Sequence, residues 1–278
     1  MTSPPLPQFV DLTARAKNIA RAQDMLWQQE AIIEVQDRLE LVKKPLTDIA
    51  IVTDFPHLWQ GFAHQSRRAD CIIRPDDRLA LTQGSFDLVI HAMALHWAND
   101  PVGQLVQCRR ALRPDGLVMA LMFGGQTLHE LRAALAEAEA ELSGGLSPRV
   151  LPMGEIRDLG ALLQRAGFAL PVADSYSKVL RYRDLYHLMT DLRGFGEANA
   201  LAARPRRFAR RALFDRAEQI YRAAYGGADG RIAASFDVVC LTGWAAHDSQ
   251  QKPLKPGSAA MRLADALGPD AKLRQKEG

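Results

Sequence analysis

The sequence predicts an α/β protein: a doubly wound, mostly parallel sheet, with an N-terminal helical extension and a helical insertion before the last strands. Three observations carry this. Strand-like and helix-like segments alternate along the chain, the pattern of a sheet covered by helices on both faces. Residues 84–125 (GSFDLVIHAMALHWANDPVGQLVQCRRALRPDGLVMALMFGG) read as one strand–loop–helix–turn–strand unit. The second strand of that unit is apolar on both faces, which suits a parallel sheet buried between two helix layers.

Taken in order, residues 1–10 are proline-rich and are expected to be mobile. Residues 12–42 hold no proline or glycine and carry an apolar series at Ile19, Leu26, Ile32, Ile33, Val35, Leu39 and Val42, which predicts a helix. Pro45 ends it. Residues 47–52 (TDIAIV) predict the first buried strand, 57–64 a helix, and 69–73 a further short strand. In the 84–125 unit, 86–90 is a strand opened by Gly84-Ser85, and Pro101 stands where a helix begins. Val102, Leu105, Val106 and Leu112 share one face of that helix. Arg113-Pro114-Asp115-Gly116 reverses the chain, because proline cannot continue a helix and glycine tolerates positive φ. Residues 117–123 return as a strand.

Beyond the unit, Thr127-Leu128-His129-Glu130 has the form of a capping box, and the helix after it ends at Ser143-Gly144-Gly145. A helix at 156–166, strands at 168–173 and 177–182, helices at 184–193 and 205–224, and a strand at 235–242 complete the series. The expected organisation is an extension over 1–45, a main domain over 46–260 with the helical insertion at about 184–226, and a charged, partly disordered tail over 261–278.

Bulk properties exclude several classes. An apolar content of 47% and a charged content of 24% over 278 residues are those of a globular protein with a sizeable core. A net charge of +3 is too small to imply nucleic acid. Cys71, Cys108 and Cys240 are widely spaced, and no His, Asp or Glu set has metal-ligand spacing, so neither a disulfide framework nor a metal site is expected. No stretch approaches the ~20 apolar residues of a membrane helix, and the start lacks a secretory pattern. The expectation is a soluble cytoplasmic protein.

The segments GSFDLVIHAMALHWANDP and RRALRPDGLVMALMFGG together resemble the class I S-adenosylmethionine-dependent methyltransferases, whose fold is Rossmann-like. More narrowly, LHWANDP, MFGGQTLHELR, MTDLRGFGEANA and LTGWAAHDSQQKPLKPGSA resemble one branch: bacterial methyltransferase-like proteins related to a mitochondrial assembly factor of respiratory complex I. Malonyl-carrier-protein methyltransferases of biotin synthesis are more distant relatives. The resemblance spans roughly residues 12–260. It implies methylation with S-adenosylmethionine as cofactor or, as for the mitochondrial relative, hydroxylation of an arginine. It also implies a protein partner or substrate, a complex I subunit among the candidates.

One departure from that pattern stands out. The family's glycine-rich loop after strand one lets the backbone approach the cofactor. Here the corresponding residues are Ile51-Val52-Thr53-Asp54-Phe55-Pro56-His57, without a glycine. The second strand, which should end in an acidic ribose-binding residue, reads Ile72-Ile73-Arg74, and arginine accepts no hydrogen bond. Only about 33 residues separate Thr53 from Phe86, too few for two complete strand–helix steps, so one sheet element is expected to be shortened or lost.

The candidate residues each carry a functional and a structural reading. Asp54 either contacts a ligand amine or caps the next helix. Asp76 and Asp77 either reach the cofactor's ribose or adenine or form an exposed loop pair. His91 and His96, at the end of the fourth strand, are candidate general bases, or hydrogen-bonded structural histidines. Trp97 either stacks on a ligand or anchors its loop. Arg206, Arg207, Arg210 and Arg211 either dock an acidic partner or form a solvated face. No recognition helix or zinc finger accompanies them, so nucleic acid is not expected. Two expectations result. One is a cofactor-free assembly or modification factor, a pseudoenzyme acting on protein. The other is an active methyltransferase or arginine hydroxylase that binds cofactor in a non-standard way.

Overall fold

The computed structural model describes residues 8–64, 67–69 and 71–250; residues 1–7 of the leader expected over 1–10 and the tail expected over 261–278 lie outside the described residues. Val10, by contrast, is buried, its N–H held by Asn99 Oδ1 at 2.8 Å, and not mobile as expected. Two helices come first, α1 (Leu12–Ala20) and α2 (Leu26–Glu40), so the single helix expected over 12–42 is divided. Tertiary bonds divide it. The N–H groups of Gln23 and Asp24 donate to the Gly194 carbonyl at 2.8 and 3.0 Å, and Asp24 Oδ1 accepts from Leu26 N at 2.9 Å where α2 starts. N–H groups drawn to a distant carbonyl cannot extend an i to i−4 ladder.

Strand β1 (Ile49–Thr53) is followed by one helical turn, α3 (Pro56–Trp59), a two-stranded ribbon of β2 (Ala63–His64) and β3 (Arg67–Arg68), and β4 (Cys71–Ile73). The helix expected at 57–64 is therefore a single turn. Then β5 (Phe86–Ala92), α4 (Pro101–Ala111) and β6 (Leu112–Gly124) form the expected strand–helix–strand unit. Asp100 Oδ1 caps α4 by accepting from Gly103 N at 2.8 Å, with Pro101 in the first turn. Residues 113–116 form an irregularity inside β6, where the register passes from Phe86–Leu112 to Leu88–Leu117. The positive φ there, 60°, belongs to Asp115. Gly116 answers a need for space instead: a Cβ on it would lie 3.0 Å from the Arg113 carbonyl.

Next come α5 (His129–Ser143), α6 (Ile156–Arg165), β7 (Ala169–Tyr182), the insertion helices α7 (Leu185–Gly194) and α8 (Arg211–Tyr225), and β8 (Ile232–Trp244). The capping box at α5 does not form. Thr127 Oγ1 instead bonds the Gly124 and Asp237 backbone, and Glu130 accepts from Ser235 N and Oγ at 3.1 and 2.5 Å. Both side chains tie α5 to β8. The strands expected at 168–173 and 177–182 are one continuous strand. Residues 205–210, expected in a helix, precede α8: Pro205 has no N–H to give, and Arg206 Nη1 is held by Asp11 Oδ2 at 3.0 Å.

The sheet order is β4–β1–β5–β6–β8–β7. Strands β4, β1, β5 and β6 run parallel, and β8 is antiparallel to both β6 and β7. Between β1 and β5 the sheet gains only the three residues of β4, the shortening that the spacing predicts. Helices α4 and α6 cover one face, with Leu105, Cys108 and Leu163 among the buried side chains that join Val89, Val118 and Leu241. Helices α2, α5, α7 and α8 cover the other. There Trp27 of α2 packs on Phe236 and Phe123 at ring distances of 4.7 and 5.2 Å, which anchors the N-terminal extension to the sheet. No helix among the described residues is long and apolar enough to cross a membrane. Separately, His247–Gln250 form a turn closed by Gln250 N on the His247 carbonyl at 3.2 Å.

Candidate functional site

In an open parallel sheet, ligands lie beyond the carboxyl ends of the strands. Here the end of β1 meets α1 and the segment after α7. Arg15, on α1, sends Nε and Nη2 to Asp54 Oδ2 at 3.1 and 2.8 Å. Its Nη1 donates to the Gly196 carbonyl at 2.8 Å and to Glu197 Oε1 at 3.2 Å. The other Glu197 oxygen, Oε2, accepts from Trp97 Nε1 at 2.7 Å and stands 3.2 Å from His96 Nε2. The Arg15 guanidinium also lies 5.0 Å from the centre of the Trp97 ring, in cation–π range. His96 packs edge-on against Phe123 at 5.2 Å.

This network is nearly dry. Side-chain exposure is 6% for Arg15, 13% for Asp54, 11% for Glu197 and 2% for His96. Burial alone would raise the Glu197 pKa; the Arg15 charge, then His96 and the Trp97 hydrogen bond, outweigh it and hold the carboxyl at about 2. Gly196 makes the geometry possible. Its φ is +78°, and a Cβ there would meet Ile19 Cδ1 at 3.1 Å and the Phe55 ring at 3.5 Å. Phe55 is itself buried, and its N–H donates to Thr53 Oγ1 at 3.1 Å. Asp54 thus pairs with a cation, and α3 has no side-chain cap.

The remaining sequence candidates fall in two other places. His91 shares the β5 face of Val89 and is fully buried; its Nε2 bonds Gln104 Oε1 of α4 at 2.8 Å. Burial pushes its pKa down to about 4 against that hydrogen bond, so the ring is neutral at pH 7. Gln104 Nε2 and Gln107 Nε2 then hold the loop after β4 through the carbonyls of Pro75, Asp76 and Asp77 at 2.9–3.1 Å. The Asp76 and Asp77 side chains are exposed on that loop.

Of the four candidate arginines, Arg207 lines a cavity of ≈ 430 Å³ between β6, residues 149–153 and the insertion. Trp97, Phe123, Leu131, Leu192 and Phe236 give it apolar walls; Glu197 reaches it from the network; Arg149, Arg193, Arg204 and Arg207 stand around it. Arg206 pairs with Asp11 at 3.0 Å and Arg211 faces Asp215 at 3.8 Å, while Arg210 precedes α8. The structure therefore joins Asp54, His96 and Trp97, places Arg207 in the cavity that Trp97 also lines, and puts Arg206, Arg210, Arg211, His91, Asp76 and Asp77 apart from it. The sequence reading missed Arg15 and Glu197. Glu197 lies inside the GFGEANA segment already singled out, beside a glycine pair that marks an unusual backbone. Arg15 carries no local signal, because its partners are 39 and 182 positions away. No group of three or more His, Cys, Asp or Glu residues placed to hold a metal ion occurs among the described residues.

The strand order and the site at the strand ends define a class I methyltransferase fold, and residues 46–120 match the Methyltransferase domain family. The chain is similar to proteins of the class I S-adenosylmethionine-dependent methyltransferase superfamily. Within it, the chain is 39% identical over 197 residues to "Arginine-hydroxylase NDUFAF5, mitochondrial" of Danio rerio, covering 71% of this chain and 61% of that protein. The Homo sapiens protein of the same name is 37% identical, covering 70% and 56%. "Malonyl-[acyl-carrier protein] O-methyltransferase" of Halorhodospira halophila is 36% identical, covering 67% and 61%. The aligned part spans about three-fifths of the length of these relatives.

Proposed function

We propose that this chain is a protein-directed factor of the complex I assembly type that keeps the methyltransferase sheet and has given up the S-adenosylmethionine site. The observation that carries the reading is the Arg15–Asp54 pair at 2.8 Å, which puts a guanidinium against the carboxylate at the end of β1. A glycine turn at that position works by offering backbone N–H groups and open space to a ligand. Pro56 has no N–H, the Phe55 N–H is occupied by Thr53, and the Phe55 ring is buried against the Gly196 segment. At the end of β4, Arg74 offers no acceptor for ribose hydroxyls. These residues do not fit the cofactor, and no chemical step is derived through it. The relationship to the arginine-hydroxylase NDUFAF5 proteins supports a protein as the object of the chain's action.

A second reading, an S-adenosylmethionine-dependent methyltransferase or arginine hydroxylase with non-standard cofactor binding, draws support from the 36% identity to a malonyl-[acyl-carrier protein] O-methyltransferase. The cavity beside Glu197 supports it as well. Equilibrium dialysis of the purified chain against labelled S-adenosylmethionine separates the two. The proposal expects no retention above the dialysate. Stoichiometric retention refutes it and leaves the second reading standing.

A further inference from the structure

The cavity between β6 and the insertion has a composition that points to its occupant. Its walls are apolar, yet it stands open at a mouth formed by residues 204–209, where Phe208 is wholly exposed at 105% of its reference area. An apolar hollow and an aromatic ring left in water together are the anatomy of a protein-binding surface, where Phe, Trp and Arg act as anchors.

The charge around that mouth is unbalanced. Three acids that meet its lining residues are already engaged: Asp11 by Arg204 and Arg206, Glu139 by Arg149, and Glu197 by Arg15, His96 and Trp97. Arg193 and Arg207 line the cavity, and Arg210 is exposed directly after the lining residue Ala209. None of these three makes an ion pair or a side-chain hydrogen bond among the described residues, which leaves three uncompensated guanidinium groups around an apolar hollow. A guanidinium binds carboxylates bidentately. A concave site also selects a protruding side chain over a flat lipid surface, whose apolar region cannot enter it.

We infer that the cavity receives an acidic segment of a partner protein, with one large apolar side chain inserted into the hollow and flanking Asp or Glu residues on Arg193, Arg207 and Arg210. The inference deepens the protein-directed reading above and rests on it.

The test is selection of a random linear peptide library on the full chain, followed by anisotropy titration of the synthesised winners. The expected result is a consensus of Asp or Glu flanking Phe, Leu or Trp. Affinity should fall at least tenfold in Arg207→Glu and in Phe208→Ser, and a Lys-for-Asp version of the peptide should recover binding to Arg207→Glu. Both substitutions are at exposed positions, and circular dichroism checks their fold. A basic or arginine-centred consensus overturns the inference and leaves the protein-directed reading standing; so does the absence of any consensus. Binding of decanoate or phosphatidylglycerol vesicles, lost in Arg207→Glu and without peptide enrichment, overturns both. Retention of S-adenosylmethionine with an unchanged acidic consensus overturns only the cofactor-free reading.

Discussion

Arg15 Nη2 stands 2.8 Å from Asp54 Oδ2, so a side chain of the N-terminal extension closes the end of the first sheet strand. One guanidinium bridges two carboxylates there, because Glu197 Oε1 shares it at 3.2 Å. Removing one partner of a buried ion pair is far more costly than the pair itself is worth, roughly 3–5 kcal/mol. Arg15→Ala should therefore lower the unfolding free energy by that amount, read as a lower urea midpoint at an unchanged m-value. Adding Asp54→Asn and Glu197→Gln to Arg15→Ala should recover part of the loss. A loss below about 1 kcal/mol would show that the network is not buried as described.

Glu197 sets the acid limb of stability. Its folded pKa, about 2, lies below the unfolded value of about 4.3. The sign follows from linkage: the stabilisation is complete above the unfolded pKa and is lost as pH falls from about 4.3 towards 2. Glu197→Gln should flatten the stability profile in that window and lower stability at pH 7. Urea melts at stepped pH measure both effects, and an unchanged acid slope would contradict the assignment.

His91 acts at a higher pH. Its folded pKa of about 4 lies below the unfolded 6.5, so the unfolded chain takes up the proton first. Stability should fall as pH drops from about 6.5 to 4, by up to roughly 3 kcal/mol at 1.36 kcal/mol per pKa unit. His91→Phe should remove this slope. NMR titration of the imidazole gives the direct check, with no shift change expected above pH 5.

The glycine pair of the MFGG segment is a packing device. Gly125 has φ +55°, and a Cβ on it would run into the Asp237 carboxylate, which accepts from Gln126 N at 2.7 Å. A Cβ on Gly124 would meet Val239 Cγ2 at 2.7 Å. Gly125→Ala should cost about 1–3 kcal/mol through strain and collision. Thermal unfolding measures it, with Gly145→Ala, at a position open to solvent, as the control.

The sheet was legible where local pattern and tertiary role coincide. The β5–α4–β6 unit, the shortened step after β1 and the late strand β8 all follow from periodicity, Pro and Gly placement, and spacing. Boundaries failed where distant atoms decide. Gly194 breaks the first helix by drawing the N–H groups of Gln23 and Asp24, and Asp11 holds Arg206 outside α8. The site was half legible for the same reason. Asp54, His96 and Trp97 could be chosen by their place at strand ends. Arg15 could not, since a lone arginine in an amphipathic helix looks like any solvated cation until the fold brings Asp54 and Glu197 to it.

The proposed loss of the cofactor site rests on Arg15, Phe55 and Pro56 at the end of β1. Isothermal titration of the wild-type chain with S-adenosylmethionine tests it most directly. No heat of binding is expected up to millimolar ligand. A saturating isotherm in the micromolar range, abolished by Asp76→Ala or Asp77→Ala, would contradict it.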